Sequence, residues 1–290
     1  MDMVEIGVVG GSGLYSLANQ QELSEIEIET PWGAPSGPFR VGMVGGKRVA
    51  FLARHGAGHR LSPSEINYRA NIWGFKQLGV KRLVSASAVG SLKPELHPRH
   101  FVIVDQFIDR TRARTATFFG HGLVAHVSLA DPTCPELREL ATAAGKSVGA
   151  TVHSGGTYLC MEGPQFSTRA ESEVYRSWGA DVIGMTNATE AKLAREAEIC
   201  YASVAMVTDF DCWKTDEAPV SVATLLAVLG DNAAQATALV GRLIEGLPEG
   251  RTCGCGDALA SALVTDPKAI PPVTRAKLDL LVGRHLRRRG

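Results

Sequence analysis

Neither sign of charge is in excess: thirty Lys and Arg are matched by thirty Asp and Glu. A chain so balanced has no electrostatic claim on nucleic acid or on an anionic membrane surface, and neither is expected as a partner. Long apolar runs are also missing; none approaches the ~20 residues that a bilayer-spanning helix needs. Six cysteines are too few and too scattered for a disulfide scaffold in 290 residues. Cys134, Cys160, Cys200 and Cys212 stand singly and read as reduced core thiols. Cys253-Gly254-Cys255 is the one cluster. No second Cys or His pair lies near it at zinc spacing, so no metal is expected; plain thiols and a redox-active or stabilising pair stay open. The opening Met1-Asp2-Met3-Val4-Glu5 is acidic and leads directly into a strand-like run, so no secretory leader is read and a cytoplasmic location is expected.

Two familiar phosphate signatures fail. Gly11 and Gly13 begin a dinucleotide fingerprint, but its third glycine would stand at Ser16. Gly42 to Arg48 is too short for a P-loop and ends in Arg where Ser or Thr is required. Gly45-Gly46 reads better as a hairpin turn between strands 39–44 and 48–53.

What is present is apolar residue in quantity, 45% of the chain, enough for a full core. Strands are expected at 5–9, 81–87, 101–106, 158–161, 181–185 and 199–207, with Ala88 to Ser91 turning away from the second of these. Helices are expected at 64–78, 134–144, 168–178, 189–197 and 221–247, the last interrupted at Gly230-Asp231-Asn232. Residues 30–38 read as a loop, 109–122 as an irregular surface or interface segment, and 284–290 as a solvated basic tail. No repeat, low-complexity tract or linker divides the chain. The expected fold is α/β: a single domain over residues 1–290, a mixed twisted sheet flanked by helices on both faces, with a helical region from about 220.

The chain is organised around Thr208-Asp209-Phe210-Asp211-Cys212-Trp213, just beyond a buried strand. In open α/β sheets ligands bind beyond the carboxyl ends of the strands, a position suited to two acids facing a small polar ligand. Other strand ends carry groups fit for an oxyanion: Ser12 in a glycine loop, Arg54 and His55, Ser87, and Thr186. Each has an ordinary alternative as a loop or turn residue, and the Asp pair could be an Asx-type cap. The argument rests on the set.

Gly10-Gly11-Ser12-Gly13-Leu14, Arg54-His55-Gly56, Tyr68-Arg69-Ala70-Asn71, Gly90-Ser91-Leu92, Asp105 to Thr111, Glu162 to Glu171 and Thr208 to Trp213, in this order and spacing, resemble the purine nucleoside phosphorylase superfamily. They are most similar to its S-methyl-5′-thioadenosine phosphorylase branch, from about residue 5 to 245. The resemblance implies phosphorolysis of 5′-methylthioadenosine to adenine and 5-methylthioribose 1-phosphate, with inorganic phosphate as co-substrate and no cofactor. It implies phosphate contacts from Ser12, Arg54, His55, Ser87, Ala88 and Thr186. Met185 would lie under the ribose and Phe166 on the purine. His126, Val222, Leu225 and Leu226 would surround the methylthio group. It also implies a homo-oligomer, usually a trimer, in which a neighbouring subunit completes the site. One departure is visible: the family often opens the helix after Met-Thr with Pro-Glu, and Asn187-Ala188-Thr189-Glu190 has no proline.

The chemistry fits those residue types. Breaking an N-glycosidic bond builds oxocarbenium character on the sugar and negative charge on the purine. Asp209, its pKa raised by burial and by Asp211, could protonate or hydrogen-bond purine N7, and Asp211 could accept from a 6-amino group. Two alternatives stay open: a 6-oxopurine nucleoside or methylthioinosine phosphorylase, and a non-catalytic purine-binding protein.

Overall fold

In the computed structural model the chain is described at residues 4–11, 17, 23–214 and 222–289, with backbone alone at 222–227, 229, 231–233 and 289. Eleven strands form one sheet: β1 (Ile6–Gly10), β2 (Ser24–Ile26), β3 (Phe39–Val44), β4 (Lys47–Ala53), β5 (Arg82–Ser91), β6 (Phe101–Val104), β7 (Gln106–Asp109), β8 (Val152–Ser154), β9 (Thr157–Cys160), β10 (Val182–Gly184) and β11 (Cys200–Asp209). Among the described residues six α-helices cover it: α1 (Tyr68–Leu78), α2 (Pro135–Ser147), α3 (Arg169–Ser177), α4 (Asn187–Glu196), α5 (Val222–Gly246) and α6 (Pro272–Arg289). This is the mixed sheet with helices on both faces that the sequence suggested. Among the described residues no helix is long and apolar enough to cross a membrane.

Side-chain alternation divides the sheet between two cores. Val9, Leu83 and Tyr201 face α1, α4 and α6; Val8, Val84, Cys200 and Ala202 face α2 and α5. Leu239, Val240, Leu243 and Ile244 of α5 are essentially unexposed. Burying each such side chain stabilises the fold by ~1.5–3 kcal/mol, so the long helix is held by its apolar face.

Strand order explains where a site can form. The sequence β2-β3-β4-β1-β5-β10-β9-β7 runs across the sheet, while β11, β6 and β8 branch from the other edge of β5. The four strands β4, β1, β5 and β11 are mutually parallel, so their carboxyl ends share one rim. On one edge of β5, β1 pairs with residues 82–85 and β10 with 90–91. Residues 86–89 of that edge pair with neither strand, which leaves a gap in the sheet.

Several expectations needed correction. Helix α1 starts at Tyr68, because Asn67 rather than Ser64 caps it: Asn67 Oδ1 accepts from Ala70 N at 3.2 Å. Ala88 to Ser91 do not turn away, since pairing with β11 and β10 extends β5 to Ser91. Helix α5 runs unbroken through Gly230. The basic tail is the end of α6, with Leu286 and His285 buried and Arg284 paired to Glu198 at 2.8 Å. The hairpin at Gly45-Gly46 is as expected, with φ of 53° and 77°, the positive pair that a tight two-residue turn demands.

Candidate active site

The gap in the sheet is filled by Arg54, the first residue beyond β4. Its backbone N donates to Gly10 O at 3.0 Å, tying the ends of β4 and β1 together. Its side chain is 3% exposed and forms a bidentate pair with Glu190, one turn into α4. Nη2 also donates to Ser85 Oγ at 2.6 Å, and Nη1 to Ala86 O at 3.0 Å, where the unpaired edge of β5 begins. Ser85 Oγ and Tyr201 OH each donate to Glu190 Oε2 at 2.9 Å. Burial works against the charge on Arg54, but Glu190 outweighs it and raises the pKa. Among the described residues one N–H of Nη1 has no acceptor and is available for a ligand. Arg54 is thus mainly committed to the buried pair. Glu190, to which the sequence assigned no role at the site, is its fixed counter-charge.

Around this pair lie hydroxyls expected at an anion site. Ser87 Oγ is buried and has no hydrogen-bond partner among the described residues. A buried hydroxyl without a partner costs ~1–3 kcal/mol, so it invites a ligand. Ala88 follows it, half-buried, on the same unpaired stretch. Thr186 caps α4 with its amide 3.4 Å from Tyr158 OH, and its hydroxyl donates to Asn187 Oδ1 at 2.8 Å. Helix α4 opens without the proline of the family pattern; the substituting Thr189 is buried and its Oγ1 is unpartnered among the described residues.

His55 is half-buried beyond Arg54. Its Nδ1 sits 2.8 Å from Leu61 O and its ring stacks on His59 at 4.0 Å. Burial and then the Arg54 charge lower its pKa to about 4. The imidazole is therefore neutral near pH 7, carries its proton on Nδ1 towards Leu61 O, and leaves Nε2 as an acceptor.

The acid pair stands at the end of β11. The register between β11 and β5 shifts between Val207 and Asp209, so Thr208 is an inserted residue, a bulge of the kind that re-aims side chains beside sites. Asp209 Oδ1 accepts from Asp211 N at 2.8 Å, the Asx turn weighed as an alternative, and Oδ2 accepts from Thr208 Oγ1 at 2.7 Å. Gly90 allows this seat: a Cβ there would meet Asp209 Oδ1 at 2.9 Å. Asp211 adopts φ 50°, tolerated by Asp, and is 8% exposed. Burial pushes the Asp211 carboxyl up, against the hydroxyls of Ser172 and Ser167 and the Cys212 amide, which favour its charged form.

The loop after β9 closes this end. Cys212 Sγ contacts Ser167 O at 3.3 Å, and Phe166 beside it is 41% exposed. Met185 is half-buried, and its carbonyl accepts from Arg114. Within 109–122, otherwise the irregular, largely exposed or half-buried segment expected from the sequence, Arg114 is an exception: its side chain is 1% exposed. Arg114 also holds Glu162 Oε1 at 3.2 Å, Glu162 O at 2.6 Å and Tyr68 OH at 3.2 Å. Burial would raise the Glu162 pKa; Ser64, the amides of Arg112 and Ala113, and Arg114 overcome it and hold it at about 2. Both Arg114 and Glu162 therefore position the loops that carry Met185 and Phe166.

Not every expected residue joins the group. His126 is exposed, its backbone tied to Ala262 O at 2.9 Å. Ser12 lies outside the described residues, as do the side chains of Val222, Leu225 and Leu226. The cysteines hold a surprise. The absence of a zinc spacing in sequence argued against a metal, yet the Sγ atoms of Cys134, Cys200, Cys253 and Cys255 all lie within 4.8 Å of one another.

Comparison with known proteins follows this geometry closely. Residues 5–245 match the model of the phosphorylase superfamily. The S-methyl-5′-thioadenosine phosphorylase of Koribacter versatilis is 56% identical over 281 residues, spanning 97% of this chain and 96% of its own. That of Geobacter sulfurreducens is 54% identical over 282 residues, 97% and 99% of the two chains. A methylthioadenosine phosphorylase crystal structure from an antarctic soil metagenomic library superposes with a TM-score of 0.92 at 47% identity, covering 97% of this chain and 99% of that one. The Schistosoma mansoni methylthioadenosine phosphorylase in complex with adenine does so with a TM-score of 0.80 at 35% identity, covering 83% and 91%.

Proposed function

The chain belongs to the phosphorylase superfamily, and we propose that it is a pentosyltransferase that cleaves S-methyl-5′-thioadenosine with inorganic phosphate, releasing adenine and 5-methylthioribose 1-phosphate. The observation that carries the reading is the shared rim of four parallel strands. Support comes from the strand ends: β4 leads into buried Arg54, β5 carries the Ser87 hydroxyl, unpartnered among the described residues, and β11 ends in Asp209. In the reaction a phosphate oxygen bonds to C1′ as the C1′–N9 bond breaks, and the bonding pair leaves with the purine.

Each residue has a task in this scheme. The free N–H of Arg54, the hydroxyls of Ser12, Ser87 and Thr186, and the backbone at Ala88 hold phosphate. His55 Nε2 accepts from a protonated phosphate oxygen, which orients the ionised oxygens at C1′. Asp209 delivers a proton to N7. Thr208 Oγ1 stands 3.2 Å from Val89 O and 2.7 Å from Asp209 Oδ2, so its hydroxyl can serve the carboxyl in either state. When Asp209 is protonated its proton is held for N7 and Thr208 donates to Val89 O; once ionised, Asp209 accepts from Thr208. Asp211 accepts from the 6-amino group, favouring adenine over a 6-oxopurine, which offers an acceptor at that point. Met185 packs under the ribose and Phe166 on the base. The apolar residue types Val222, Leu225 and Leu226, which the resemblance assigns to the methylthio group, suit a thiomethyl group and would leave a 5′-hydroxyl unpaired. No cofactor or metal takes part in this chemistry.

The whole chain acts as one domain, in the cytoplasm, within a homo-oligomer, which the family resemblance makes a trimer. His126 supports the assembly. It is exposed on a segment bridged to residues 262–264, beside Val124 and Val264, which are 44% and 64% exposed. From there it serves a neighbouring subunit's methylthio pocket. The test is ³¹P NMR of the enzyme with S-methyl-5′-thioadenosine and phosphate. A sugar 1-phosphate signal growing in step with free adenine supports the proposal, and adenine release with phosphate unconsumed defeats it.

A further inference from the structure

The four clustered cysteines come from three separated segments. Cys134 precedes α2, Cys200 begins β11, and Cys253 and Cys255 lie on the connection between α5 and α6. Their sulfurs all lie within 4.8 Å of one another, and Cys200 Sγ is 3.3 Å from Cys253 Sγ. A tetrahedral tetrathiolate with Zn–S near 2.3 Å has sulfur–sulfur edges of about 3.8 Å, so the cluster needs shifts of ~1 Å or less to close on one ion. Two guanidinium groups attend the sulfurs. Arg195 Nη1 lies 3.8 Å from Cys255 Sγ, and Arg251 Nη1 lies 3.8 Å from Cys200 Sγ. Both are held from behind, Arg195 by Asp131 O and Arg251 by Glu198 O at 2.9 Å. Four thiolates around a divalent ion carry a net charge of minus two, and two positioned cations offset it; such outer hydrogen bonds tune thiolate sites.

We propose that Cys134, Cys200, Cys253 and Cys255 bind one structural zinc ion. All-sulfur tetrahedral donor sets select zinc or iron–sulfur centres, and four protein thiolates on a single ion leave no open position for catalysis. Binding displaces four thiol protons to solvent as four Zn–S bonds form, with no change of oxidation state. Cys253 is half-buried between exposed Thr252 and Gly254, which gives the ion a way in. The site sits at the opposite end of β11 from Asp209, ~30 Å along the strand at about 3.3 Å per residue. Its role is to clasp the α5–α6 connection to the sheet. Arg284 on α6 bonds Gly256 O next to the cluster, so the ion also steadies the final helix.

The test uses the full chain, purified with reductant and without metal-affinity resin. Metal analysis by mass spectrometry is expected to find about one zinc per chain. Cobalt(II) added to chelator-stripped protein should give thiolate-to-cobalt charge-transfer bands and the visible bands of a tetrahedral site. The double variant Cys253→Ser/Cys255→Ser should lose both signals, while Cys160→Ala, a buried thiol of a different cluster, keeps them. If the double variant does not fold, the wild-type cobalt spectrum decides. Six titratable thiols without stoichiometric zinc in protein supplied with the ion would overturn the proposal. So would a mass deficit of two disulfides in reduced, zinc-supplied protein, or a cobalt spectrum lacking the charge-transfer bands.

Discussion

Replacing Glu190 with Gln isolates the electrostatic centre of the site. Glu190 accepts from Arg54 through both oxygens, and from Ser85 and Tyr201 through Oε2. Gln keeps the volume but turns one oxygen into an NH2. Whichever way the amide is turned, that NH2 meets the Arg54 guanidinium, donor against donor. Arg54 also loses its counter-charge while both side chains stay 3% exposed. Removing one partner of a buried ion pair costs ~3–5 kcal/mol. For a chain of this size, at ~2 °C per kcal/mol, the melting temperature should fall by ~6–10 °C. Phosphate bound beside Arg54 would return a negative charge, so it should raise the melting temperature of the variant more than that of the wild type. Differential scanning fluorimetry with and without phosphate reads both effects. A wild-type melting temperature would refute the burial argument, and equal phosphate increments would place Arg54 outside the anion site.

Three other predictions follow from single contacts. Gly90→Ala puts a methyl 2.9 Å from Asp209 Oδ1 and forces the acid to move; kcat should drop ~10²-fold with the phosphate KM little changed, and an unaltered kcat would contradict the role of Asp209. Asp211→Asn keeps the left-handed backbone but can donate to a 6-oxo group, so the rate ratio of adenine to hypoxanthine substrates should fall at least ~10-fold, and a constant ratio removes Asp211 from base recognition. Glu196 is raised to about 7 by burial, against bonds from Thr117 Oγ1 and Phe118 N, both at 2.7 Å. Below its unfolded pKa near 4.3 both states are protonated. As pH rises to 7 only the folded state keeps the proton, so stability declines across that window by ~3 kcal/mol. Glu196→Gln should flatten this decline, leaving the variant the more stable at pH 8; parallel urea curves at pH 5 and 8 would count against it.

What the sequence made legible was what local pattern encodes. Strand β11 and the Asp pair could be read because an apolar run ending in two acids is contiguous. The Gly45-Gly46 turn could be read because its glycines alone meet the torsion demand. The bulge at Thr208 was not legible, since it arises from register against β5. Glu190 looked like any acid in a helix's first turn; its meaning comes from Arg54, 136 residues away in the chain. Arg114 sat in a polar stretch with no periodicity, and only the fold buries it against Glu162 and Met185. The clustering of the cysteines was hidden for the same reason. Zinc spacing in sequence presumes that ligands come in local pairs, whereas Cys134 and Cys200 arrive from a helix start and a strand start.

The most direct test of the central claim compares initial rates on 5′-methylthioadenosine, 5′-methylthioinosine, adenosine and inosine, each with and without phosphate. The account predicts phosphate-dependent adenine release, fastest from 5′-methylthioadenosine. Preference for the inosine compounds would contradict the assigned role of Asp211, and equal turnover without phosphate would contradict phosphorolysis itself.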